Sequence, residues 1–466
     1  MSTSSRQEQG KALRAKVGRA EHAVLGKLDR DPVALLKLSS EGRVPRLVPL
    51  RFGRMLASPL AFFRGSAIIQ AHDLAHTPHS GLTMQICGDA HLSNFGGFAS
   101  PERTLLFDLN DFDETAIGPW EWDLKRLCVS LVVAARHLNY KRPVAEAVLR
   151  QAVLGYAAHM KRYAEMGTLE IWYDRISFEG LLEEAVDNEV RRRLQRAMDK
   201  AAGRTGDALL PRLSMDVNGQ RILRDEPPAL FHVTGKNTLF TAQDDWLKLK
   251  DHTAVLGQYF KDYLQSLATD RRELLSHFSH HDVAFKVVGV GSVGTRCLVH
   301  LMMDPMGKPM FLQSKEAGRS VVSRYFKAAR MRHEGQRVVH GQRLMQAASD
   351  PFLGWAKGPN GRHFYVRQLR DMKWSAQVEL MPEDILQAYG GLCGRVLAHG
   401  HAKAGGQAPE LAGYLGGGER MADALTSYSL AYADQVERDY EAFAKACRKG
   451  TLAARTDADM EADFRI

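Results

Sequence analysis

The sequence predicts an α+β protein in which a mainly helical half comes first, a small antiparallel sheet follows, and helices close the chain. Three observations carry that expectation. From Asp123 to about residue 280 apolar residues recur mostly at helical spacing. From Val283 they gather into short runs separated by Gly or Pro, and from Ile385 the helical spacing returns.

Composition bounds the answer. At roughly 150 residues per domain, a chain of 466 residues makes about three domains or one two-lobed enzyme. With 45% hydrophobic and 25% charged residues it is neither collagen-like, disordered nor a disulfide scaffold. A balance of 63 Lys and Arg against 54 Asp and Glu leaves +9, which suits an anionic ligand such as a nucleotide, a nucleic acid or a phosphorylated metabolite. Cys87, Cys128, Cys297, Cys393 and Cys447 are dispersed and form no C-x-x-C pair, so neither a zinc knuckle nor a disulfide framework is expected. No apolar run suffices to cross a membrane and the N-terminal stretch has no apolar h-region, so the expected location is cytoplasmic.

In chain order, residues 1–44 are polar and net basic and read as an arm, mobile or a peripheral helix. Residues 45–280 form the helical half. Within it Thr104–Leu109 reads as a buried strand, and Asp123–His137 as a helix with Asp123 suited to the N-cap. The Pro- and Gly-containing stretch Gly203–Thr234 interrupts the helices. Residues 281–375 form the β-rich part, with strands in FKVVGV, TRCLVHLM, PMFLQSKEA and HFYVRQL and a helical segment over Arg324–Ala348. Residues 376–466 return to helices, beginning behind Pro382-Glu383-Asp384.

The chemistry concentrates in Gly88-Asp89-Ala90-His91-Leu92-Ser93-Asn94 and, one strand later, Asp108-Leu109-Asn110-Asp111-Phe112-Asp113-Glu114. A loop carboxylate, an amide oxygen shortly after it and acids at a strand end are the parts needed for phosphoryl transfer: one orients or deprotonates the acceptor, the others hold Mg²⁺ on phosphates. Gly-Asp and Ser-Asn alone are ordinary turn formers. The acid cluster so close behind them, and the apolar helix after Trp120-Glu121-Trp122-Asp123, favour a site.

Gly-Asp-x-His-x-x-Asn, the acidic Asp-Phe-Asp element and Asp123-Leu124 opening a helix resemble the catalytic region of aminoglycoside phosphotransferases and related small-molecule kinases of the protein-kinase-like superfamily. RMLASPLAFFRG, GDAHLSNFG, NDFDE, VVGVGSVGTRC and FYVRQLRDMK resemble, more closely, a bacterial family of uncharacterised proteins, over most of residues 45–445. The kinase resemblance implies a two-lobed fold, ATP and Mg²⁺, Asp89 as catalytic base, Asn94 as a metal ligand and a second ligand at the strand end. Asp111 fits the pattern slightly better than Asp108, and Asp113 comes third. Cys87 stands where the related kinases carry a His.

Gly289-Val290-Gly291-Ser292-Val293-Gly294 matches a dinucleotide fingerprint, but strand formers rather than a helix follow it, so a strand–turn–strand over phosphates is expected. Lys315, in the next strand, is expected to reach the phosphates, with Glu334 or Glu316 as its ion-pair partner. YVRQLRDMK then offers a hinge strand and linker for the adenine. The glycine turn and lysine come some 200 residues after Asp89, the reverse of the kinase order, which implies a circular permutation. Arg51, Arg54 and Arg64 are candidates for binding substrate phosphate. His91 is expected to brace its loop, since no second His lies at metal-ligand spacing.

These readings converge on an ATP- and Mg²⁺-dependent phosphotransferase acting on a hydroxyl of a small-molecule acceptor. The alternatives are nucleotidyl transfer, a nucleotide-binding regulatory pseudokinase and a basic nucleic-acid-binding protein. The last lacks a recognisable binding signature.

Overall fold

A computed structural model describes residues 2–463 apart from 186, 242, 243, 245, 250, 370 and 371. It is a mixed α+β protein. Trp120–His137 is its central helix, and every residue from Trp120 to Ala135 is buried. A helix apolar on nearly all sides must be surrounded. Arg142–Ala164 and Glu419–Arg448 pack against it, and Glu383–Gly405 lies along Arg142–Ala164. That last pair approaches closely because Gly394 has no side chain: a Cβ there would fall 2.1 Å from the carbonyl of Ala152. Leu127, Leu131, Tyr156 and Leu397 lie in this core, each contributing roughly 1.5–3 kcal/mol by leaving water.

Short antiparallel ladders rest on the helices and aim the loops. Thr83–Ile86 pairs with Ala116–Pro119, and Phe95–Ala99 pairs with Leu105–Leu109, Phe95 opposite Leu109. Trp374–Ser375 extends the second ladder at Gly97 and Gly96. Loops 87–94 and 110–115 therefore emerge side by side.

The larger sheet has six strands in the spatial order 354–357, 363–368, 309–316, 297–303, 279–286 and 230–231, all antiparallel to their neighbours. On one face Tyr259, Tyr263, Leu267 and Leu275 pack with Phe285, Leu312 and Val366. On the other, Leu209 and Leu223 cluster with Val299, Leu301 and Phe311.

Several expectations change. The segment Arg324–Ala348 is two helices, Val321–Tyr325 and Glu334–Met345, because Ser320 and His333 each cap a separate start. The stretch Gly203–Thr234 folds into the hairpin Ser214–Val217 with Gln220–Leu223 and the edge strand Leu230–Phe231. Helices His252–Gln265 and Thr269–Ser276 serve the six-stranded sheet rather than the helical core. Periodicity marks an apolar face but not what covers it.

The described part of the arm, residues 2–44, is also folded against the body. Thr3–Ala12 packs on Ala408–Leu415, and His22 and Leu36 are fully buried. Arg30 sits between Asp73, at 2.8 Å, and Asp439, at 2.6 Å, with all three side chains out of water. A charge-rich composition concealed a segment that buries Arg30 between two carboxylates.

Candidate active site

The loop after Thr83–Ile86 is held from below. The backbone N–H groups of Cys87 and Gly88 donate to the Asp123 carboxylate at 2.7 and 2.8 Å. The central helix starts directly after Pro119, so Asp123 falls within its first turn and not at its N-cap, and its carboxylate serves the loop. Gly88 sits at φ +84°, and a Cβ there would lie 2.1 Å from the Glu114 carbonyl. The close approach of the two loops thus requires glycine at this point.

Asp89 is fixed by a residue the sequence did not flag. Arg126 Nε donates to its carboxylate at 2.7 Å, while the same guanidinium bonds to Gln70 and the Phe63 carbonyl and lies 3.7 Å over the Phe63 ring. Burial pushes the Asp89 carboxyl above its ordinary value, and Arg126 opposes that push without cancelling it. Asn94 donates through Nδ2 to the Asp89 carbonyl at 2.7 Å, and the Asn94 carbonyl accepts from the Asn110 N–H at 2.8 Å. His91 accepts from the Ser93 N–H and stands 3.9 Å from the Asp89 carboxylate. Burial, with the Arg126 and Arg64 charges, holds it well below its ordinary range. A neutral brace is the role this geometry allows.

At the strand end the structure separates the three acids. Asp108 is buried and accepts from the Leu109 and Ala347 N–H groups, both at 2.8 Å. It does not line the cleft, which removes it as a metal ligand, because the pleat turns it toward residue 347. Asp111 lines the cleft, 3.7 Å from Lys315 Nζ. Burial pushes Asp111 up, but Lys315 and Arg367 outweigh that and hold it below the ordinary carboxylate range. Asp113 contacts Lys315 directly, accepts from the Tyr365 hydroxyl at 2.8 Å and lies 3.4 Å from the Ser292 hydroxyl.

Lys315 thus takes Asp113 and Asp111 as partners, neither Glu334 nor Glu316. Burial lowers its pKa, and the two carboxylates more than reverse this. Glu334 instead accepts from Arg337 Nε at 2.5 Å. Arg337 spends its other nitrogens on the carbonyls of Thr115, Asp113 and Gly318, tying helix Glu334–Met345 to the acidic loop. Glu316 is taken by Arg362, at 2.7 Å, and Arg296.

The glycine turn is followed by strand Cys297–Met303, as its residues predict. Gly289, Gly291 and Ser292 line the cleft; Gly294 lies behind them. Arg43 binds the Gly291 and Val293 carbonyls at 2.7 and 2.6 Å, and the Val44 N–H donates to Gly294. The arm therefore holds the turn from outside. Arg54 bonds to the Gly289 carbonyl and pairs with Asp457 at 2.5 Å, away from the cleft. Arg51 lines the cleft, but its guanidinium is spent on Ser39, Ser40 and the Gly65 carbonyl. Among the described residues Arg64, also on the cleft wall, makes no side-chain hydrogen bond, and the Arg51 Nε is likewise buried without a partner. Arg370 and Asp371 of the expected adenine linker lie outside the described residues.

The cleft has a volume of about 390 Å³, within the range of small-ligand sites. Among the described residues no group of three or more His, Cys, Asp or Glu is placed to hold a metal. Asn94 and Asp111 instead offer two hard oxygen donors at one cleft, which fits a magnesium ion that completes its shell with water and phosphate. Arg126, Arg43 and Arg337 escaped the sequence reading because each acts through a partner distant in the chain, and Tyr365, read there only as part of a hinge strand, bonds to Asp113.

The architecture and site define a mixed α+β protein whose acidic loops, glycine turn and arginine-bearing arm enclose one cleft. The chain belongs to the family described as uncharacterised proteins conserved in bacteria, DUF2252, whose model matches residues 43–446. No curated protein and no solved structure matches the chain. Among the described residues no helix is long and apolar enough to cross a membrane.

Proposed function

We propose that the chain is a phosphotransferase of permuted protein-kinase-like architecture, moving the γ-phosphoryl group of ATP to a hydroxyl of a small molecule. One observation carries the reading: segments some 200 residues apart border a single cleft, with Ser292 of the glycine turn 3.4 Å from Asp113 of the acidic loop. The order of elements supports it too. Strand 279–286, the glycine turn, strand 297–303, the lysine-bearing strand 309–316, helix 334–345 and two further strands follow the plan of a kinase nucleotide lobe, with its lysine on the third strand and a helix behind it.

Permutation is supported by adjacency. Strand 374–375 joins the hairpin that carries the acidic loop. Helix Glu383–Gly405 packs along Thr83–Ile86, the strand leading into Asp89. The departure is the lysine, whose partners are the acids themselves rather than a helix glutamate.

In this reading Asp89 orients the acceptor hydroxyl and takes its proton, its basicity raised by burial. Arg126 fixes the carboxylate, and neutral His91 supports the loop. The glycine turn presents backbone N–H groups to the phosphates, and Lys315 supplies positive charge beside them. Asn94 and Asp111 would hold magnesium, which neutralises phosphate charge.

Thermal stability measured with ATP, with and without Mg²⁺, tests the reading. The wild type gains stability from ATP only with magnesium, and Lys315→Ala loses most of that gain. Asp89→Asn keeps the gain while ADP release falls by about 10²–10⁴-fold, the typical share of a positioned base. A wild type indifferent to every nucleotide would overturn the proposal.

A further inference from the structure

We infer that the acceptor is an oxyanionic small molecule, such as a phosphorylated metabolite, seated on Arg64, Arg319 and Arg324, which line the cleft. As a statement about the acceptor this rests on the phosphotransferase reading; as a statement about an anion site it does not.

Charge is unevenly committed around the cleft. Six arginines line the cleft. Arg43 is spent on backbone carbonyls, Arg51 on two hydroxyls and a carbonyl, and Arg362 on Glu316. The other three, Arg64, Arg319 and Arg324, have no carboxylate partner among the described residues. Among the described residues Arg319 donates only to the Ser323 carbonyl, at 3.0 Å, and the buried Nε of Arg64 has no hydrogen-bond partner.

Most carboxylates facing the same space have a cation or a donor against them, with Lys315 shared between two. Arg126 takes Asp89, Lys315 takes Asp111 and Asp113, and Arg296 joins Arg362 on Glu316. The Val321 N–H donates to Glu114 at 2.6 Å. Glu41, exposed at the rim, is the acid without such a match. The six lining arginines, with Arg126, Lys315 and Arg296 set against the carboxylates, outnumber the six lining acids, so the balance is positive.

Guanidinium presents forked donors that fit phosphate and carboxylate oxygens. Burial lowers the pKa of Arg64, so the charged side chain is held at a desolvation cost that an anion would offset. Arg64 also lies near enough to Asp89 for its charge to bear on that carboxylate. An oxyanion held there leaves a hydroxyl of the same molecule within reach of the base. A polycationic acceptor would meet charge of its own sign.

Calorimetric titration with inorganic phosphate, alone and with saturating Mg²⁺ and a non-hydrolysable ATP analogue, tests this on the full chain. Phosphate binds the wild type in both conditions. Arg64→Gln weakens it by about 10-fold or more, equivalent to roughly 1.4 kcal/mol. The double variant Arg319→Gln/Arg324→Gln, at two exposed positions where the fold is safe, does the same, and both variants hold the analogue within about 2-fold of the wild type.

Phosphate displaced by the analogue, or bound equally well by both variants, would overturn the inference, as would analogue binding without any phosphate binding. Arginine-dependent phosphate binding in a wild type that ignores every nucleotide would sustain the anion site and sink the kinase reading.

Discussion

Burial raises the Glu114 carboxyl from its ordinary 4.5 to about 7, although the Val321 N–H favours the charged form. Its folded value lies above the unfolded one, so between about 4.5 and 7 the native state holds more proton. The stability this group contributes is largest in acid and declines as pH rises through that window. Buried His22 and His300, held at about 3, act oppositely, losing stability as pH falls below 6.5. Comparison with Glu114→Gln, which can still accept from Val321, isolates the carboxyl. Measured by thermal melts from pH 4.5 to 7, the wild type loses stability relative to the variant as pH rises, and a pH-independent difference would refute the assignment. At this scale Asp89, Asn94 and Asp111 were legible because their spacing is local. The choice between Asp108 and Asp111 was not, since it depends on which way the pleat turns each side chain.

The unit formed by the 87–94 loop and helix Trp120–His137 depends on Asp123, whose buried carboxylate receives two backbone N–H groups and stands 3.3 Å from His401. Asp123→Asn retains the shape but loses the charge and one acceptor oxygen. The expected cost is about 1–3 kcal/mol, as for a buried donor left unmatched. Hydrogen exchange is the direct check: the amides of Cys87 and Gly88 exchange faster while those of Arg142–Ala164 keep their protection. Uniform protection across the loop would show that Asp123 does not hold it. Most of the helices and the strands from Val283 onward could be read from periodicity. The division of Arg324–Ala348 into two helices, and the transfer of helices 252–276 to the sheet, could not, because caps and opposing surfaces decide them.

Across the whole molecule, Arg30 ties the arm to the body through Asp73 and Asp439. Arg30→Met leaves two buried carboxylates without their cation, a loss of about 3–5 kcal/mol. The expected result is a lower unfolding temperature and faster proteolysis within residues 1–44. Unchanged melting and cleavage would mean that the arm is not held this way. Because Arg43 and Val44 also grip the glycine turn, the arm is part of the site's construction. By itself, the sequence determined the α+β class and the positions of both loops and the glycine turn. These follow from residue type and short-range spacing. The tertiary structure alone decided that Lys315 pairs with Asp113 and Asp111, that Arg126 holds Asp89, that the basic arm is folded and that Arg64, Arg319 and Arg324 have no carboxylate partner among the described residues, because electrostatic partners are chosen by proximity in space across hundreds of residues, which no local pattern records.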